Sequence, residues 1–261
     1  MYEFEFEKPS SVADTVTALG AEEAQALGGG QTLIPTLKQR LAMPSKLVSL
    51  AGIAEMKGVS AEGGVLSVGG GTTHAVVAAE AVAYPALAEL ASHIGDPAVR
   101  NRGTIGGSLA NNDPAACYPS AALASGATIV TNTREIAADD YFQGLFTTAL
   151  QDGEIITAVR FPIPQAANYQ KFVQPASRFA MVGVFVARFA DGVRVAVTGA
   201  SEDGVFRWSA AEAALSADFS ASAIDGLGVD ADDMIGDIHG SKAYRAHLVG
   251  VMTKRAVAQA G

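Results

Sequence analysis

Along this chain the spacing of apolar residues changes twice. Residues 2–6 alternate aromatic and acid, with Tyr2, Phe4 and Phe6 on one face, and predict an opening strand. Pro9 ends it, and Ser10 or Ser11 caps a short helix that runs to Leu19 and stops at Gly20. A short apolar piece over 24–27 leads through Gly28-Gly29-Gly30 into a helical run over 33–41. Pro44 closes that run, and 46–50 read as another strand. The opening of the chain therefore predicts a β-α-β-α-β unit.

The pattern then shifts toward hairpins. Residues 56–60 and 65–69 read as strands joined by a turn over 61–64. A second triplet, Gly69-Gly70-Gly71, leads through Thr72-Thr73-His74 into an alanine-rich helix. Leu87, Leu90 and Ile94 place a further helix over 84–94. Residues 95–119 show little periodicity and many turn formers; a loop this long needs a reason, because its backbone groups must find partners. A short helix over 119–125, strands over 127–130 and 135–137, and a turn at Asp139-Asp140 follow. From residue 155 the pattern is mainly strands: 155–161, 169–173, 182–189 and 193–199, with Asp191-Gly192 as the clearest hairpin turn. A closing helix over 241–258 carries Tyr244, Leu248, Val251 and Met252 on one stripe.

Composition narrows the function classes. With 18 Lys+Arg against 27 Asp+Glu, a net charge of −9 argues against a nucleic-acid partner. The single cysteine, Cys117, makes no internal disulfide and cannot ligate an iron–sulfur cluster or a four-thiolate zinc. It is expected to be a buried, inert thiol, and it agrees with a cytoplasmic protein. No apolar run approaches the roughly 20 residues of a membrane span. His74, His93, His239 and His247 fit no metal spacing and read as surface or helix residues. Asp139-Asp140 and Asp232-Asp233 read as solvated acids, and Ser108 has no histidine pattern to activate it.

Two segments remain as candidates for chemistry. Gly28-Gly29-Gly30-Gln31-Thr32 sits between a strand and a helix, where backbone N–H groups can meet an anion and Thr32 can cap the helix. The plain alternative is a tight turn that binds nothing. The second segment, Asn101 to Pro114, gathers Thr104, Ile105, Gly106, Gly107, Ser108, Asn112 and Asp113, and offers hydroxyls and backbone donors instead of a carboxylate set. That suits a diphosphate better than a metal. Neither segment is a Walker or a Rossmann fingerprint. Together they suggest a diphosphate held in a cleft between two domains, where a side chain at Gly29 or Gly106 would crowd the ligand.

These segments, Gly28-Gly-Gly-Gln-Thr-Leu-Ile-Pro35 and Gly95 through Asn101-Arg-Gly-Thr-Ile-Gly-Gly-Ser-Leu-Ala-Asn-Asn-Asp-Pro114, resemble the FAD-binding medium subunit of the molybdenum hydroxylases. That family includes aerobic carbon monoxide dehydrogenase and bacterial xanthine dehydrogenase-like enzymes. The resemblance spans nearly the whole chain, to Ser241-Lys-Ala-Tyr-Arg-Ala-His247. It implies an α+β fold: a two-domain FAD cradle of the vanillyl-alcohol-oxidase (PCMH) type plus a C-terminal domain of antiparallel strands and helices. The expected boundaries are 1–52, 53–162 and 163–261.

The resemblance also implies roles. The two glycine segments would wrap the FAD diphosphate, Ile94 and Ile156 would line the flavin, Lys171 would contact it, and Phe179 would lie beside the ring. No residue is given a catalytic role. Relatives read Asp where this chain has Cys117, so one FAD contact would pass to Asp113 or Asn112. The implied partners are a molybdenum-binding large subunit and a small subunit with two two-iron two-sulfur clusters, in a dimer of heterotrimers. Electrons would reach FAD from the clusters and leave to an external acceptor, making the chain an oxidoreductase subunit. Two other readings are a self-contained FAD oxidase of the same fold and a scaffold subunit that has lost FAD.

Overall fold

Three sheets follow one another along the chain in a computed structural model that describes residues 1–175 and 177–260. The first contains β1 (Glu5–Glu7), β2 (Ala24–Leu27) and β3 (Lys46–Ser49), all parallel in the order β1-β3-β2. Parallel neighbours need crossovers, and helices Val12–Leu19 and Leu33–Lys38 supply them. Ser11 caps the first, its hydroxyl accepting from the Asp14 N–H. The opening strand is shorter than the alternation suggests: Tyr2 lies outside it, under the Arg40 guanidinium, and Phe6 is exposed. The second helix stops at Lys38, short of Leu41, because Arg40 adopts a left-handed backbone.

The second sheet is antiparallel, in the order β4-β5-β8-β6-β7, with β4 (Val59–Glu62), β5 (Val65–Gly69), β6 (Thr128–Thr131), β7 (Glu135–Ala137) and β8 (Ile156–Pro162). Gly63 and Gly64 both have positive φ, as the tight turn between β4 and β5 demands. Leu66, Val68, Ile129 and Phe161 pack against Leu87, Leu90, Leu109 and Leu123 from the helices between β5 and β6.

The third sheet, β12-β11-β10-β9, contains β9 (Ala166–Val173), β10 (Ala180–Phe189), β11 (Gly192–Ser201) and β12 (Gly204–Arg207). Its two central strands, β10 and β11, are buried on both faces. On β10, Val182, Val184 and Val186 meet helices Ser209–Ala217 and Lys242–Gln259, while Phe185 and Ala187 join the core of the second sheet. Alternation along one strand thereby fastens the C-terminal unit to the middle one.

Several elements differ from the sequence reading. The aperiodic stretch holds two short helices, Pro97–Arg100 and Ile105–Asn111. Asp139 and Asp140 lie in a short helix, Ala138–Tyr141, and Asp139 takes ion pairs from Arg194 and Arg207. The pattern of apolar positions predicts neither strand β12 nor helix Ser209–Ala217. On the closing helix the buried stripe is turned from the expected one: Arg245, Leu248, Val249, Met252 and Ala256 face inward, and Tyr244 is exposed.

Candidate FAD site

A cavity of about 610 Å³ opens where the three sheets meet. One wall is the turn that leaves β2, Gly28 to Thr32. The opposite wall is the start of helix Ile105–Asn111, where Thr104, Gly106, Gly107 and Ser108 face the space. Thr104 Oγ1 caps this helix by accepting from the Gly107 N–H at 3.2 Å. Thr32 does not cap its helix; its carbonyl instead accepts from the Thr36 hydroxyl.

The two walls touch through bare backbone. A Cβ on Gly29 would collide with the Arg102 carbonyl and stand 2.6 Å from Gly103 Cα. A Cβ on Gly106 would stand 2.6 Å from the Gly70 carbonyl oxygen. These glycines are therefore required by close backbone approach, Gly29 to the Arg102–Gly103 segment and Gly106 to Gly70, in addition to any room a ligand needs. Gly28 and Gly107 both face Thr104 Oγ1 at the distances where a Cβ would crowd it, 3.0 and 2.9 Å.

The donor set fits a diphosphate. No protein acceptor among the described residues faces the backbone N–H groups of 28–33. Consecutive N–H groups that lack partners form an anion-binding concavity, strengthened here by the start of helix Leu33–Lys38. No group of three or more His, Cys, Asp or Glu suited to a metal is present among the described residues.

Away from the glycine loops the lining becomes apolar, with Ile94, Leu150, Ile155, Ile156, Cys117 and Phe179. Ile156 begins β8. Phe179 is presented by the turn between β9 and β10, where the Gln174 N–H donates to the Phe179 carbonyl and Arg178 is left-handed. Lys171, on β9, donates to the His93 carbonyl at 3.0 Å, just past helix Pro85–Ser92. A flat, mainly apolar ring system suits this end and a charged group suits the other.

Of the sixteen residues singled out from the sequence, two do not line the cavity. Ile105 is fully buried in the middle core. Asn112 is turned away, in a left-handed conformation with its amide donating to the carbonyls of Gly144 and Thr147. It cannot take over a contact from position 117. Asp113 does line the cavity, with one carboxylate oxygen accepting from the Ala115 N–H. Cys117 is buried as expected, but in the cavity wall.

Two wall residues escaped the sequence reading. His74, expected at a surface or on a helix, does open helix His74–Glu80, but it is 4% exposed and lies in the wall beside Gly103. Glu154 is solitary in sequence, yet its side chain is 2% exposed and accepts from Arg134 Nε and Nη2, both at 3.0 Å. Thr131, Thr133 and the Gln151 N–H complete its shell. The Arg134 guanidinium and these other donors hold the carboxyl at about 2. Glu154 thereby anchors the segment that presents Ile155 and Ile156.

Because its folded pKa lies below the carboxylate range, the stabilisation from Glu154 is complete above pH 4.5 and disappears as pH falls toward 2. Glu154→Gln is expected to lower the urea midpoint at pH 7, with the difference from the parent shrinking at pH 3. An equal loss at both pH values would contradict this account.

Comparison with known proteins agrees with this geometry. Residues 2–164 match the family described as FAD binding domain in molybdopterin dehydrogenase. The carbon monoxide dehydrogenase medium chain of Afipia carboxidovorans is 33% identical over 98% of this chain and 96% of its own. The nicotine 6-hydroxylase medium subunit of Paenarthrobacter nicotinovorans is 34% identical with the same coverage. The structure of reconstituted CO dehydrogenase from Oligotropha carboxidovorans superimposes with a TM-score of 0.90 at 30% identity, covering 99% of this chain and 98% of that one. The fold, the paired glycine loops and these relatives agree: the chain belongs to the family of FAD-binding medium subunits of the molybdenum hydroxylases, an oxidoreductase family.

Proposed function

We propose that the chain holds FAD in this cavity, receives electrons from iron–sulfur clusters on a partner subunit and passes them to an external acceptor. The observation that carries the reading is the row of unpartnered N–H groups facing a second glycine loop across one cavity. Gly28, Gly29, Gly30, Gln31 and Thr32 would hold the diphosphate from one side, and Thr104, Gly106, Gly107 and Ser108 from the other. Ile94, Ile156, Lys171 and Phe179 would orient the ring and keep water from it. FAD, when bound, supplies the two-electron redox chemistry; the residues supply binding, orientation and electrostatics.

The division of the chain at 1–52, 53–162 and 163–261 belongs to the same proposal, with the first two units as the cradle. So does assembly with a molybdenum-binding large subunit and an iron–sulfur small subunit, as a dimer of heterotrimers in the cytoplasm. The lone Cys117 supports placing the clusters on another chain. Among the described residues no helix is long and apolar enough to cross a membrane. Nearly equal identity to medium chains named for carbon monoxide and for nicotine supports leaving substrate choice to the large subunit.

The test is co-purification. The complex is expected to contain about one FAD per chain, seen as the visible absorbance of oxidised flavin, together with molybdenum, iron and two further chains. Substrate should reduce the flavin only when those chains are present. Equal reduction of the isolated chain would favour the self-contained oxidase instead.

A further inference from the structure

His74 lies at the point where the two cradle walls are braced. Its backbone N–H donates to the Gly103 carbonyl at 3.0 Å, and Thr73 bridges Thr104 as in an antiparallel pair. Its ring stands so close to Gly103 that a Cβ there would lie 2.5 Å from His74 Nε2. Gly103 in turn supports Gly29 from behind, with only backbone between them. Imidazole, Gly103 and Gly29 thus form one stack that fixes the gap between the loops.

The ring is held by packing. It tilts against Tyr118 with centroids 5.4 Å apart, and its Nδ1 is buried without a hydrogen-bond partner. An orphaned buried nitrogen costs stability that an apolar residue of similar size would not. Its position behind the cradle accounts for its being there.

We propose that His74 is a positioning residue for FAD: the neutral imidazole, wedged against Gly103, holds the two glycine loops at the separation the cofactor needs, and protonation of the ring opens them. The proposal rests on the reading of the cavity as the FAD site. A proton on the ring would place a cation in a buried space where no protein group facing it carries a counter-charge. The charged and titratable groups facing the ring are Arg100, from helix Pro97–Arg100, and Tyr118, from helix Tyr118–Ser125. Neither supplies an anion: burial pushes the Tyr118 hydroxyl well above its usual range.

Burial first, and Arg100 second, push His74 down from 6.5 to about 4. The neutral ring's contribution is therefore complete above pH 6.5 and lost as pH falls through about 4. FAD retention is therefore expected to fall as pH drops from 7 toward 4, the reverse of what pairing between an imidazolium and the diphosphate would give.

The test measures FAD kept by the complex after desalting at each pH from 7.5 to 4, as fluorescence of extracted flavin. The parent should lose FAD across this window. His74→Gln, which keeps a polar group near Nε2 but does not titrate, should retain FAD at pH 7.5 and show a flat profile. His74→Ala, which leaves a cavity behind Gly103, should bind FAD about tenfold more weakly at pH 7.5. A His74→Gln profile as acid-sensitive as the parent's overturns the proposal and leaves the cavity assignment standing. FAD absent from the parent at pH 7.5 overturns both.

Discussion

Gly29→Val is expected to leave the chain without FAD at any practical flavin concentration, and Gly29→Ala to come close. The added Cβ has no rotamer that avoids the Arg102 carbonyl, and the atoms it meets are backbone on both sides. The first loop must retreat from the second, and the row of N–H groups at 28–33 retreats with it. Gly28→Ala provides the graded comparison: its Cβ meets only the Thr104 hydroxyl, a side chain that can turn away. Extracted flavin per chain measures the effect, and far-UV circular dichroism shows whether the sheets persist. Full flavin in Gly29→Ala would mean that the loops do not touch as described.

Arg245→Ala is expected to cost about 2–4 kcal/mol, because two strand carbonyls lose the buried guanidinium that donates to both of them. Arg245 is 2% exposed in the closing helix, where Nη1 donates to the carbonyls of Met181 and Gly199 and Nη2 pairs with Asp237 at 2.7 Å. Gly199, with φ +80, is packed against the Ala180 carbonyl. Removing the guanidinium leaves carbonyls on two strands without their donor. Arg245→Lys should recover less than half, because a single ammonium cannot reproduce the planar fork. Urea unfolding measures both; a loss below about 1 kcal/mol for Arg245→Ala would refute this account.

The damage should also reach the cofactor. The Gly199 N–H donates to the Pro114 carbonyl at 2.7 Å, and the Thr198 hydroxyl contacts the carbonyls of Pro114 and Ala116. The segment between Asp113 and Cys117, part of the cavity wall, is thus held by the strand that Arg245 supports.

What could be read beforehand depended on period and turn chemistry. The parallel opening unit was legible because its caps and glycines punctuate apolar runs, and the long strands β10 and β11 because Asp191-Gly192 separates them. Helix Ile105–Asn111 was not, since Gly106 and Gly107 oppose helix formation and only Thr104 as a cap marks its start. Helix Ser209–Ala217 hides in alanine, which carries little amphipathic contrast. On the closing helix a charged residue occupies the buried stripe, and an apolar-only rule turns the face away from Arg245.

The candidate site was legible to the extent that glycines and hydroxyls declare a backbone-donor cradle. Residues that act through shape were not. His74 and Glu154 owe their places to packing between segments distant in sequence. Asn112 was misplaced because an amide in a polar motif can equally serve its own loop, as it does here through Gly144 and Thr147.

The contact between Gly29 and the Arg102–Gly103 backbone has a consequence for the order of folding. It joins points far apart along the chain, and each wall can complete its own sheet without the other. Closing so long a loop costs entropy, and two bare backbones offer little apolar surface in return. The return comes from beside the contact, where Val12, Leu19, Ala26 and Leu50 pack on Ile53, Met56 and Ile155, so the loops are brought together by the docking of the first unit on the second.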